Sequence, residues 1–195
     1  MSEFVAVALR LRLIKRWSLM HCVESENVME HSYLVALLGM MAGIRAKQLG
    51  EQVSPEKMMA AALLHDLSEV ICSDVVTPVK NATPELAREF HALERYAEQK
   101  MLSTLPEEIQ NSVTEMSTLN DLESKLLKGC DLLSAFIKCK IEVGHGNGKE
   151  FKHALDSLSE RLDQVMVELP VIADIYNWFA GSLDSSVDQL FQKLY

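Results

Sequence analysis

The sequence has no C-x-x-C pair, no apolar run long enough to cross a bilayer, few aromatic residues and a deficit of positive charge. Each absence excludes something. Without paired spacing, the four cysteines (Cys22, Cys72, Cys130, Cys139) read as reduced thiols used mostly in packing, in a cytoplasmic protein, and the spacing argues against a thiolate zinc site. The longest apolar run, Tyr33 to Ile44, suits a core helix rather than a membrane span. Charges interrupt the N-terminal apolar residues, so no signal peptide is expected. A formal charge of −9 argues against a general nucleic-acid or anionic-membrane surface. It leaves room for a local phosphate pocket, because Arg10, Arg12, Lys15 and Arg16 make the start of the chain basic.

What remains is 48% hydrophobic and rich in Met, which suits packed helices. The length of 195 residues fits one domain over 1–195, with a less clearly defined helical part after about residue 144. Phe4 to about Arg16 is expected to be helical, followed by an irregular stretch from Trp17 to Asn27. A long helix from near Glu30 to Leu49 should end at Gly50. Ser54-Pro55-Glu56 is a helix start, and that helix should run from Met58 to about Val70. Cys72 to Thr83 reads as loop. Thr83-Pro84-Glu85 opens a helix to about Ser103, and Pro106-Glu107-Glu108 a short one. Asn120 with Glu123 forms a capping-box pattern for a helix to about Val143. After the glycine-rich break at 144–148, helices are expected over about Lys149 to Glu168 and Val171 to Ala180, with a last short one near Ser185 to Leu194. No strand pattern appears, so the fold class is all-α.

The chemistry concentrates in Ala62-Leu63-Leu64-His65-Asp66-Leu67-Ser68-Glu69-Val70. On a helix, His65 and Glu69 share a face and Asp66 lies about a quarter turn away. An imidazole and a carboxylate can hold one divalent cation, and a nearby carboxyl can act on a water or a substrate. The dipeptide alone is weak. His31, inside an apolar helix, and Asp131, flanked by Cys130, Leu132 and Leu133, strengthen it, since a polar group there needs a partner. Taken singly, a histidine on an apolar face is usually a satisfied core residue and a mid-helix Asp usually sits at the solvent edge. The four together, drawn from three helices, point to one metal centre.

These residues resemble the HD-domain metal-dependent phosphohydrolases, and within them most closely the bacterial 5'-deoxynucleotidases. The motifs that carry the resemblance are Arg16-Trp17, Glu26-Asn27-Val28 with Glu30-His31-Ser32, His65-Asp66 with Ser68-Glu69-Val70, Asp74, Thr77-Pro78-Val79-Lys80, and Lys128 with Asp131. They span about Leu11 to Glu142, and the region after Gly144 resembles the family only weakly. The resemblance implies an HD-domain helical bundle that binds one divalent ion through His31, His65, Asp66 and Asp131. It implies Arg16 for orienting the phosphate, Trp17 for the sugar, and Glu69 and Asp74 in catalysis. It also implies a nucleotide pocket lined by Asp74, Val75, Val76 and Thr77, with His31 and Asp131 beside it. Val76 stands where the family usually has a proline, which bears on loop shape and sugar discrimination. The implied substrate is a deoxyribonucleoside 5'-monophosphate and the implied assembly a homodimer. The nitrogen and oxygen ligands suit Co, Mn, Zn, Fe or Mg alike.

Three alternatives fit less well. A triphosphohydrolase of this superfamily typically carries Gly-His after His-Asp, where this chain has Leu67-Ser68. An alarmone hydrolase typically shows Glu-Asp, where this chain has Glu69-Val70. A non-catalytic, metal-stabilised helical dimer would not need Arg16, Glu69 and Asp74.

Overall fold

The structure, a computed structural model, describes residues 2–192. Its order is α1 (Phe4–Ala8), a 3-10 turn (Leu9–Leu13), α2 (Val28–Gln48), α3 (Pro55–Leu64), α4 (Glu69–Cys72), α5 (Thr77–Lys80), α6 (Pro84–Leu102), α7 (Glu107–Ser117), α8 (Asp121–Gly144), α9 (Gly148–Glu168), α10 (Pro170–Phe179), a second 3-10 turn (Ala180–Ser182) and α11 (Val187–Gln192). The all-α class holds: among the described residues the only β feature is an isolated antiparallel bridge between Lys15 and Asn27.

The candidate ligands lie on α2 and α8 and just past the end of α3, and each of these helices is started by a cap. Asn27 accepts a hydrogen bond from the Glu30 amide at 3.0 Å, and the Glu30 carboxylate accepts one from the Asn27 amide at 3.0 Å. This box starts α2 at Val28, two residues before the start expected from apolar periodicity. Asn120 and Glu123 form the same box on α8. Glu123, buried, also accepts from the Ser54 amide at 2.7 Å and so ties the start of α3 to the start of α8. Each such cap contributes about 1 kcal/mol.

Between the caps the helices bury one apolar core. Val35, Leu38 and Ala42 of α2 meet Met58 and Ala62 of α3, Leu126, Leu133 and Phe136 of α8, Leu162 of α9, and Ile172 and Ile175 of α10. Helices α9 and α10, after residue 144, therefore belong to the same core as the motif-bearing ones. Gly43 lets α2 and α3 approach closely: a Cβ there would stand 2.7 Å from Pro55 Cα. A larger residue would push α2, which carries His31, away from α3, which is capped at its end by His65.

Three expectations are corrected. The motif does not continue a helix to Val70: α3 stops at Leu64, residues 65–68 turn, and α4 begins at Glu69. Leu67, Glu69 and Val70 donate to the carbonyls three residues back, on Leu64, Asp66 and Leu67, which tightens the chain out of α-geometry. The turn is pinned from inside by Leu67, 2% exposed in a second small core with Leu11, Val28 and Met101. Burial of that one side chain is worth about 1.5–3 kcal/mol, enough to override a one-turn helix extension. The stretch from Cys72 to Thr83 is not all loop, since Thr77–Lys80 forms a helical turn. At the start, only Phe4–Ala8 is α-helical and the chain tightens to 3-10 over Leu9–Leu13. The last helix lies within the expected tail, whose end at Leu194 falls outside the described residues. No helix among the described residues is long and apolar enough to cross a membrane.

Candidate metal centre and phosphate site

The structure brings the separated ligand candidates together. Ligand atoms of His31, His65 and Asp131 all lie within 4.8 Å of one another. Asp66 joins them through the imidazoles, with its Oδ2 3.2 Å from His65 Nε2 and 3.6 Å from His31 Nε2. His31 is 1% exposed, whereas the Asp131 side chain keeps 48% of its surface, so the cluster opens on one side.

The second nitrogens of the rings are fixed by the protein. His65 Nδ1 donates to the Ala62 carbonyl at 2.6 Å, which leaves Nε2 with its lone pair. His31 Nδ1 meets the Ser134 hydroxyl at 3.1 Å. Both Nε2 atoms are buried and have no hydrogen-bond partner. Asp131 Oδ1 is only 3.0 Å from His31 Nε2 but off the line of a ring N–H, so proximity there is not a hydrogen bond. Two orphaned imidazole nitrogens aimed at a common space between carboxylates fit a divalent cation, and a bound ion would satisfy what is otherwise a costly pair of buried polar atoms.

The charges in the cluster shift one another. Burial would raise Asp66, but the two imidazoles and Arg16 outweigh it and bring its pKa down to about 2. Burial likewise opposes the ionised form of Asp131, and the neighbouring imidazoles hold it below the ordinary carboxylate range. For His65, burial disfavours the imidazolium, yet Asp66 and Asp131 raise its pKa.

Arg16 lies at the edge of this cluster. Its Nη1 is 3.4 Å from Asp66 Oδ2 and its Nε 3.2 Å from Glu26 Oε2. Trp17, next to it, donates its indole N–H to the same Glu26 oxygen at 2.9 Å and packs at 5.6 Å from the Phe151 ring. Glu69 is 4% exposed with Oε2 unpartnered, and burial together with the Asp66 and Asp74 carboxylates pushes its pKa up to about 8. A carboxyl raised in this way by burial and neighbouring carboxylates is a candidate for proton transfer. Asp74 is also raised, first by burial and then by Asp66, against the pull of Arg16 and Lys80. Val75 and Val76 are half-buried and Thr77 exposed on the same loop. Val76, where the family usually has a proline, has φ −56°, a value that proline itself imposes, so a proline would fit there without a change in φ.

A model of the family described as "5'-deoxynucleotidase YfbR-like" matches residues 3–182. The chain belongs to this family. Among its YfbR-like relatives, the 5'-deoxynucleotidase of Vibrio vulnificus (strain YJ016) is 38% identical over 97% of this chain and 98% of that protein. The 5'-deoxynucleotidase YfbR of Escherichia coli O127:H6 is 36% identical over 98% and 96%. Two solved structures share the fold. An HD-domain phosphohydrolase of Listeria innocua has TM-score 0.78 and 22% identity, covering 95% of this chain and 90% of that one. The cyanophage S-2L HD phosphohydrolase DatZ, bound to dA and one catalytic zinc ion, has TM-score 0.67 and 23% identity, covering 93% and 96%.

Several residues around the YfbR-like site were not found from sequence. Ser134 is an ordinary helix serine until His31 is placed against it. Glu26 was noted only inside a motif, without a role. Glu142 and Lys138 had no signal at all. Burial pushes the Cys130 and Cys139 thiols up to about 12, in keeping with a packing role.

Proposed function

We propose that the protein hydrolyses deoxyribonucleoside 5'-monophosphates to deoxyribonucleoside and phosphate, using one divalent cation held by His31, His65, Asp66 and Asp131. The observation that carries this reading is the pair of buried, unpartnered imidazole Nε2 atoms converging with two carboxylates beside the Arg16 guanidinium. A divalent cation in that position supplies charge that neutralises phosphate oxygens and makes an attacking water more acidic.

The chain's own residues do the rest. Arg16 spends Nε on Glu26 and one Nη1 hydrogen on Asp66, leaving the Nη2 side of the fork for phosphate oxygens. As water adds to phosphorus and the P–O5' bond breaks, protonated Glu69 gives its proton to the leaving 5'-oxygen. Asp74, in the half-buried loop before Thr77, sits close enough to Arg16 and Asp66 for their charges to move its pKa, and is assigned to proton transfer and substrate contact. Val75, Val76 and Thr77 line the nucleoside end. Trp17 excludes a 2'-hydroxyl by bulk. The donor set accepts Co, Mn, Zn, Fe or Mg, with zinc favoured by the ion named for DatZ.

The working form is proposed to be a homodimer of single HD-type domains spanning 1–195, in the cytoplasm. In support, Tyr33, Leu37 and Ile44 of α2 stand exposed at helical spacing, with Met59 and Leu63 of α3 also exposed. An apolar stripe of that kind suits a second copy. The unpaired cysteines suit a reducing compartment. A phosphate-release screen over matched deoxy- and ribonucleoside 5'-monophosphates, with and without chelator, tests the activity. Turnover confined to the deoxy series and stopped by chelator is expected, and release that ignores chelator removes the metal from the reaction.

A further inference from the structure

Arg16 and Trp17 lie on a segment with almost no regular structure, yet the reaction proposed above asks both to be held to a fraction of an ångström. Successive residues on extended chain point to opposite faces. Trp17 breaks this with φ 58°, in the left-handed region; with Ser73 it is one of two described non-glycine residues at positive φ. Such a backbone costs on the order of 1–3 kcal/mol and persists only where its surroundings over-determine it.

The surroundings are supplied by Glu26. One oxygen, Oε2, accepts from Arg16 Nε at 3.2 Å and from Trp17 Nε1 at 2.9 Å. The backbone of the same residue accepts from the Arg16 amide at 3.0 Å, and the Val28 amide donates to the Ile14 carbonyl at 3.0 Å, closing residues 15–27 into a loop. The Glu26 side chain is 13% exposed. We propose that Glu26 is a positioning residue that locks the phosphate-gripping guanidinium and the sugar-facing indole into one register through a single carboxylate oxygen. Phosphate capture and rejection of the 2'-hydroxyl are then set together, not by two independent side chains. The inference rests on the activity proposed above. It goes further in assigning deoxy-over-ribo selection to a residue that touches neither sugar nor phosphate.

The test uses the full chain, with Glu26→Ala and Glu26→Gln compared with the parent. The kcat and KM are measured on a matched deoxy and ribo 5'-monophosphate pair. Glu26→Ala is expected to lower kcat/KM on the deoxynucleotide by about 10²-fold, the scale of a misplaced binding group, and to narrow the deoxy-to-ribo ratio. Glu26→Gln keeps an oxygen acceptor for the indole and is expected to restore most of the ratio while recovering only part of the rate. Emission provides a readout that needs no turnover. Trp178 and Trp17 are the two tryptophans, so in a Trp178→Phe background the signal is Trp17 alone. Loss of its bond to Glu26 is expected to shift that emission in Glu26→Ala but not in Glu26→Gln. An unchanged ratio with unchanged Trp17 emission in Glu26→Ala overturns the inference, even if the melting temperature falls. A parent protein without deoxynucleotide turnover overturns the activity instead, and the emission comparison still decides whether Glu26 sets the indole.

Discussion

The two sides of the candidate site are built on opposite principles. On the cation side, His31, His65 and Asp131 are delivered by long helices or their ends, whose other faces fill the main core. The positions are rigid because packing makes them so, and the polar groups themselves are poorly satisfied. On the phosphate and sugar side, Arg16 and Trp17 come from a loop that contributes little apolar surface. There the polar groups that hold the loop are engaged with one another. Glu142 is 0% exposed and accepts from the Val23 amide at 2.9 Å, the Glu24 amide at 3.0 Å, Asn147 Nδ2 at 2.6 Å and Lys138 Nζ at 2.5 Å. Lys138 also donates to the Glu24 carbonyl, and Asn147 to the His21 carbonyl at 2.8 Å. Packing holds the first side, so its polar atoms remain available for a ligand. Hydrogen bonds hold the second, so most of its polar atoms are spent on structure and the outer edge of the Arg16 fork is what remains for a ligand.

The contrast makes a sharp prediction about Asp131→Ala. It removes a carboxylate proposed to hold the cation, which makes no hydrogen bond among the described residues. Activity should fall by about 10³-fold or more, since a metal supplies several kcal/mol of charge stabilisation. The melting temperature measured in chelator should stay near that of the parent. A large loss of stability in chelator would mean that the carboxylate is structural and would break the comparison. Glu69→Gln comes next. It keeps the shape of a buried side chain but gives up the acidic proton, and kcat should fall on the order of 10²- to 10³-fold with little change in KM.

The cation side was also the more legible from sequence, for the same physical reason. A histidine and an aspartate inside apolar helix stretches break a pattern, and the breaks at His31 and Asp131 mark the site. The capping box at Asn120 and the proline starts at Pro55 and Pro84 fixed helix positions within a few residues. The stop after Leu64 was not legible. Leu-His-Asp-Leu has no glycine or proline, and what ends the helix is Leu67 dropping into a pocket formed by residues distant in sequence. The clamp on the other side was invisible too. Glu142 and Lys138 gave no signal, because the loop amides and carbonyl they hold lie more than a hundred residues away.

Glu142→Gln should therefore act on stability in the way Asp131→Ala acts on chemistry. Gln offers one acceptor oxygen where Glu142 uses two, and it leaves Lys138, 7% exposed, without its counter-charge. Breaking a buried pair of this kind costs about 3 kcal/mol, read as a lower denaturant midpoint together with faster amide exchange at Val23 and Glu24. The pH dependence has a definite sign. Burial alone would raise the Glu142 pKa, but the bonds from Lys138, Asn147 and the two amides depress it from 4.5 to about 2. Stability from the ionised clamp is thus fully present above about pH 4.5 and is lost as pH falls toward 2. The parent should lose stability across that window and Glu142→Gln should lose less of it. Identical acid profiles would show that the clamp does not titrate as described.

The smallest effect belongs to the loop where strain and relaxation sit three residues apart. Ser73, at φ 63° and ψ 167°, occupies a region that favours glycine. Val76, at φ −56°, donates no backbone hydrogen bond among the described residues and stands at a value proline adopts without cost. Val76→Pro should then stabilise the protein by roughly 0.4–1 kcal/mol, because it restricts the unfolded chain and asks nothing new of the folded one. Activity should be preserved, since Asp74 and Thr77 keep their backbone path. A loss of deoxynucleotide turnover in Val76→Pro, with stability raised as expected, would show that the loop must leave this conformation during the reaction. The site would then be packed on one side and mobile on the other, rather than held on both.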